Sequence, residues 1–126
     1  MNLNKIASVL AFIIGAMALF AGGQVIFLGK EMPYYVITWL PYYNFAMGLI
    51  TFLGTAILIW RNSGYAMPAA IATFAAHALV MIVLLIGYKD VVAHESIVAM
   101  SVRLLVWAVI LILMYIQSRK SKRAAA

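Results

Sequence analysis

The sequence predicts an all-α membrane protein: four transmembrane helices in an antiparallel up-down-up-down bundle, with both termini cytoplasmic. Three observations predict it. Apolar runs at residues 5–28, 41–60, 67–87 and 91–117 fill the 126-residue chain almost end to end, and a hydrocarbon core about 30 Å thick needs roughly 20 helical residues to cross it. Only 10% of the residues are charged and 67% are apolar, whereas an ordinary soluble domain is about half apolar and about a quarter charged. Third, the basic residues divide unevenly between the two ends of the spans.

If the helices alternate, Lys5, Arg61, Arg119, Lys120, Lys122 and Arg123 fall on one side. Lys30 and Lys89 fall on the other, with the acids Glu31, Asp90 and Glu95. An excess of Lys and Arg marks the cytoplasmic side, so both ends are expected inside a cell's inner (plasma) membrane. The net charge of +6 is thus an orientation signal, and no nucleic-acid partner is expected. The basic tail, 118–126, adds attraction to anionic membrane lipid of about 1 kcal/mol per basic residue. A single integral membrane domain covers 1–126.

The elements follow in order. Lys5 and the run ending Ala18-Leu19-Phe20-Ala21-Gly22-Gly23 have the outline of a signal peptide. The apolar stretch exceeds the roughly 7–15 residues of a signal core, so an uncleaved first helix is expected. The connection 29–40 carries Tyr34, Tyr35 and Trp39, and Tyr42 and Tyr43 follow. Amphipathic rings collect at the membrane interface, which places this segment along the outer headgroup boundary; the functional alternative is an aromatic lid over a pocket. Pro41 suits the first turn of helix two, where its missing N–H costs nothing. Residues 61–65 make a tight cytoplasmic turn with Pro68 opening helix three, and 87–90 make another, with Asp90 expected to cap helix four through its carboxylate. Turns this short force sequential helices to lie antiparallel and adjacent.

Each helix carries one small or polar stripe at helical spacing. These are Ala7, Ala11, Gly15, Ala18 and Gly22, with Gln24 beyond; Asn44, Gly48, Thr51 and Thr55; Ala66, Ala70, Thr73, His77 and Met81; and Ser96, Met100, Arg103 and Trp107. In lipid, helices associate through small residues and hydrogen bonds, so such stripes first of all mean packing. At 1.5 Å per residue, Thr51 and His77 lie about 15 Å below the outer ends of their helices, and Arg103 about 18 Å. Gln24, Asn44 and Glu95 lie above them. Together these residues form a candidate polar cavity opening outward.

Arg103 is the costliest residue here, since an arginine at the membrane centre costs about 2.5–3.5 kcal/mol on insertion scales and cannot shed its proton. It must find acceptors: Glu95, Thr51, His77, a backbone carbonyl or an anionic ligand. One reading is a clamp holding helices together; the other is a binding site for an anion or headgroup. His77 reads as a neutral hydrogen-bond partner in the same network, with proton relay or metal ligation as alternatives. His94 lies too far away in depth for the two to ligate one ion. A copper site from His77 and Met81 is weaker than the ordinary use of methionine as a core filler. The absence of cysteine excludes disulfide relays, thiolate metal sites and thiol nucleophiles. No metalloprotease, nucleophile-elbow or phosphate-loop motif is present, so no covalent chemistry, metal or cofactor is expected. A small multidrug transporter would carry an acid in its first span, and this one has none.

Pro41-Tyr42-Tyr43-Asn44 with Gly48, Ile59-Trp60-Arg61-Asn62, His77, and Glu95-Ser96 leading through Met100 and Arg103 to Trp107 resemble motifs of small bacterial four-helix membrane proteins of the DoxX-like group. The likeness runs from helix two onward. It implies a four-helix integral membrane fold and, for some members, association with respiratory or redox complexes; it assigns no catalytic residue. The expected function is a polar intramembrane site around Arg103, His77, Thr51, Asn44, Glu95 and Gln24 that binds a small amphipathic or anionic molecule, lipid- or quinone-like. The alternatives are an accessory subunit of a larger complex, or a homo-oligomer, docking through the Gly-Ala face of helix one, and a proton-coupled small transporter using His77 and Glu95.

Overall fold

A computed structural model describes residues 2–29, 31 and 35–125, with side chains described through Lys120. Lys30 and Tyr34, placed by the sequence at the outer boundary, lie outside the described residues, as do the side chains of Lys122 and Arg123. Four helices are long and apolar enough to cross a membrane: α1 (Leu3–Ile26), α2 (Leu40–Trp60), α3 (Ala66–Gly87) and α4 (His94–Ala125). Among the described residues there is no strand.

Local chemistry accounts for most of the boundaries. Asn2 caps α1 by accepting from the Asn4 N–H at 2.7 Å, and α1 gives way to a turn that reaches Gly29 at φ 62. Pro41 stands in the first turn of α2, as its fixed φ favours. The second turn contains Asn62 at φ 53, a left-handed position that asparagine tolerates better than most residues.

Two boundaries of α4 differ from expectation. The helix starts at His94, not 91, and Asp90 belongs to the preceding turn. The carbonyl of Tyr88 accepts from both Val91 and Val92, at 3.0 and 2.8 Å, and the helix begins only when Ser96 and Ile97 bond back to Ala93. Glu95 thus occupies the first turn, where the helix dipole favours an acid. At its other end α4 continues to Ala125 instead of stopping at 117. The segment after Gln117 has no Gly or Pro, and its Lys, Arg and Ala residues are strong helix formers.

The largest departure is inside α2. Residues Thr51–Thr55 form a π turn, in which Ala56 N–H reaches back to Thr51 O. Such single turns are uncommon and often mark functional sites.

Small residues determine how the helices meet. α1 packs along both α2 and α4, while α3 packs on α4 and touches the π turn. Ala7, Ala11, Gly15, Ala18 and Gly22, the whole predicted stripe of α1, are buried. Gly15 faces the π turn so closely that a Cβ there would lie 3.0 Å from Phe52 N and 3.1 Å from Thr51 Cγ2. Ser8 adds a bond missed by the stripe analysis, donating to Ala56 O at 2.6 Å. Near the chain ends, Leu3 N–H donates to Gln117 Oε1 at 3.0 Å, Asn4 Nδ2 to Asn62 Oδ1 at 2.8 Å and Lys5 Nζ to Trp60 O at 3.1 Å. The start of α1 therefore lies beside the ends of both α2 and α4.

Large apolar side chains such as Phe20, Leu79 and Leu105 are mostly exposed, the inverse of a soluble bundle. Inside, two apolar clusters form. One, around Trp107, Ile59, Ala11 and Ile110, fills the end near the chain termini. The other, Ile37, Leu40 and Leu84 with Trp39, Tyr43 and Tyr88 against it, fills the end where α4 begins. On α2, α3 and α4 the polar interior residues fall between these clusters in chain order. That intermediate layer holds the candidate site.

Candidate functional site

Arg103 is only 7% exposed. Side chains on a helix lean toward its N-terminus, so the guanidinium leans toward the His94 end. There Arg103 Nη1 donates to Asn44 Oδ1, linking α4 to α2. The sequence offered Glu95, Thr51 or His77 as acceptor; Asn44, one of the six candidates, takes the role.

Gln24, Asn44, Glu95 and Arg103 line one cavity of about 90 Å³, walled otherwise by residues such as Val25, Val36, Leu40 and Met100. It joins α1, α2, α4 and the segment before α2. Four of the six predicted site residues thus come together. Glu95 is exposed and Arg103 buried, so the cavity carries an acid at its open part and a cation in its wall. Asn44, with Oδ1 committed to Arg103, keeps its amide N–H groups as donors.

Thr51 and His77 are buried as expected, at 2% and 3% exposure, but neither lines that cavity. Thr51 opens the π turn and packs on α1 at Gly15. His77 Nδ1 is 2.9 Å from Tyr43 Oη, with the rings edge to face at 5.8 Å between centroids. Tyr43 and Asn44 are sequence neighbours, and successive helical side chains diverge by about 100°. One therefore serves α3 and the other α4. The two halves of the layer therefore meet at adjacent residues of α2, Tyr43 paired with His77 and Asn44 with Arg103. Below them, Thr55 and Thr73 hydroxyls approach at 3.5 Å, and Thr73 also donates to Ala69 O at 2.8 Å.

Tyr43 is the interior hydrogen-bonding residue the sequence reading missed, having been grouped with the interfacial rings. A signal was available: a tyrosine inside a span, next to the polar Asn44, needs a partner for its hydroxyl. Tyr43→Phe is expected to lower stability by about 1 kcal/mol, within the range for interhelical hydrogen bonds. The measurement is the shift of the unfolding midpoint in mixed micelles; an unchanged midpoint would remove the pair from the list of stabilising contacts.

The connection before α2 is neither purely a belt nor a free lid. Ile37 is buried, and Trp39 Nε1 donates to Tyr88 Oη at 2.9 Å while stacking edgewise on Tyr43. It plugs the α2–α3 side of this end and leaves the α1–α4 side for the cavity. Among the described residues no three of His, Cys, Asp and Glu come together to hold a metal. His94 is exposed at the start of α4, on a different element from buried His77. The Gly-Ala face of α1, read from the sequence first as a packing face and only in the accessory-subunit alternative as a docking surface, packs internally against α2 and α4.

Four apolar helices with a buried cation in their polar layer define a multi-pass membrane protein. No protein-family model matches the chain, and no curated protein or solved structure is detectably similar to it.

Proposed function

We propose that this protein binds a small amphipathic or anionic molecule, lipid- or quinone-like, at the Arg103 cavity, and performs no covalent chemistry on it. The helices run up-down-up-down through the inner membrane with both termini cytoplasmic, as the split of basic residues predicts. The cavity then opens to the outer side. The observation that carries the reading is the convergence of Arg103, Asn44, Gln24 and Glu95 on one cavity. An arginine used only as a clamp needs acceptors on neighbouring helices and no space. This one has Asn44 as its acceptor and also borders a cavity, and an ionisable group within a span is by default a functional candidate. Kinship with the DoxX-like group is part of the proposal and rests on the motifs of α2 to α4.

The test is native mass spectrometry of the protein extracted gently from its own host's membrane. A bound small mass is expected on the wild type and absent from Arg103→Leu, with helicity unchanged between the two. Equal binding by both proteins overturns the assignment of the site. Recovery of the wild type without a ligand, but in fixed stoichiometry with other chains, overturns the binding role in favour of an accessory subunit.

A further inference from the structure

Beside the polar cavity runs a second hollow of about 190 Å³, lined by Ile14, Met17, Ala21, Ala99, Val102 and Arg103. Ala21, Ala99 and Arg103 belong to both. The second hollow is a groove between α1 and α4 on the outward, apolar surface; Met17 is 57% and Val102 43% exposed. A membrane-spanning bundle presents that surface to acyl chains. The polar cavity therefore adjoins the hydrocarbon-facing groove, with Ala21, Ala99 and Arg103 bordering both.

Three properties limit what fits. The polar cavity, at about 90 Å³, is too small for a whole amphiphile and admits only the charged end of one. Its charges are opposite: Arg103 and the Asn44 amide offer donors to an anion, and Glu95, two turns earlier on α4, offers an acceptor to a cation. The groove that continues it is apolar apart from Arg103. Depth is also consistent, because Asn44 lies four residues inside α2, about 6 Å from its start, and the Arg103 side chain, rooted about 14 Å inside α4, reaches up to it toward headgroup level. Met17 and Ile14 lie about 13 Å and about 18 Å below the end of α1, where a chain would run.

We propose that the occupant is a glycerophospholipid with a zwitterionic headgroup, held from the side. Its phosphate meets Arg103 and Asn44, its amine points to Glu95, and one acyl chain lies in the groove between α1 and α4. A quinone has no charge to match either group, and a fatty acid has no cation for Glu95. This inference rests on the binding role proposed for the same cavity and names its ligand class.

The experiment uses the full-length protein, stripped of lipid in detergent and exposed to equimolar phosphoethanolamine lipid, phosphoglycerol lipid and diacylglycerol in native mass spectrometry. Water-soluble glycerophosphoethanolamine is titrated separately by NMR. Retention of the phosphoethanolamine lipid is expected to exceed that of diacylglycerol by about tenfold or more, equivalent to about 1.4 kcal/mol. Glu95→Gln should erase its preference over the phosphoglycerol lipid. Val102→Phe changes an exposed position that lines the groove and not the polar cavity; it should block the groove, cutting lipid retention about tenfold while glycerophosphoethanolamine still binds. If the soluble headgroup binds and Val102→Phe changes nothing, the lipid inference falls while the binding role survives. If neither lipid nor headgroup binds the wild type, both fall.

Discussion

Gly48→Ala is expected to destabilise the protein by about 3 kcal/mol, the upper end of overpacking costs, although it adds a single methyl group. A Cβ at Gly48 would lie 2.6 Å from Leu19 N, 2.8 Å from Gly15 O and 3.1 Å from Ala18 C. All three are backbone atoms of α1, so no rotamer change relieves the clash and the helices must move apart. Gly22 repeats the arrangement from the opposite side, since a Cβ there would meet Pro41 O at 2.5 Å and Phe45 N at 2.7 Å. Separation is especially costly in lipid, where no hydrophobic force draws helices back together and close packing supplies much of their association. Gly54 is the control on the same helix, because a Cβ there meets nothing within 4 Å. Gly54→Ala should be neutral or stabilising by up to about 1 kcal/mol, the difference in helix propensity. Both are read as unfolding midpoints in mixed micelles of detergent and lipid. Equal responses from the two variants would show that the α1–α2 crossing does not depend on glycine.

The glycine stripe of α1 was legible because its physics is one-dimensional. Span length follows from bilayer thickness, and the face of a helix follows from residue spacing. Ala7 through Gly22 could therefore be assigned to an interior face before any partner was known. What spacing does not contain is the identity of that partner. The same stripe suits docking to another protein and packing on α2, and only the approach of Gly48 to Gly15 decides between them. The candidate site divided along the same line. Arg103, His77 and Thr51 are buried because burial is a property of a face. Their sorting into a cavity wall, a Tyr43 pair and a helix crossing depends on how α2 is rotated against α1, α3 and α4.

That rotation is affected by the π turn, and nothing in Thr51-Phe52-Leu53-Gly54-Thr55 announces it. The segment has no proline, and Gly54 faces open space. A π turn inserts one residue into the helical repeat, so side chains before and after it do not share the face that regular spacing assigns. Asn44 and Gly48 precede the insertion while Thr55 and Ala56 border its end. The start of α4 was missed for a related reason. Asp90 has the right chemistry for a cap, but Tyr88 gathers the next two amides into a turn and uses up the residues that a helix beginning at 91 would need. The helical tail was readable from propensity, and was obscured by attention to its charge.

The Arg103–Asn44 pair is expected to respond asymmetrically to mutation, and this separates a clamp from a site. Asn44→Leu removes the acceptor and leaves a buried guanidinium without its protein partner; the expected loss is about 2–3 kcal/mol, in the range for hydrogen bonds to charged groups. Arg103→Leu removes the charge itself. It forfeits the same hydrogen bond but also relieves an arginine burial cost of about 2.5–3.5 kcal/mol, so its net effect should lie within about 1 kcal/mol of zero, or stabilise. In the double variant the Asn44→Leu penalty should largely disappear, because no buried charge remains to be satisfied. Replacing both members of a buried polar pair with apolar groups is often neutral for this reason, whereas removing one is not. Unfolding in mixed micelles gives the four corners of this cycle, and ligand retention on the same samples gives the second readout. If Arg103 exists to hold α2 to α4, Arg103→Leu will be as damaging as Asn44→Leu. If it is kept for a ligand, the protein lacking it will be at least as stable and will bind nothing.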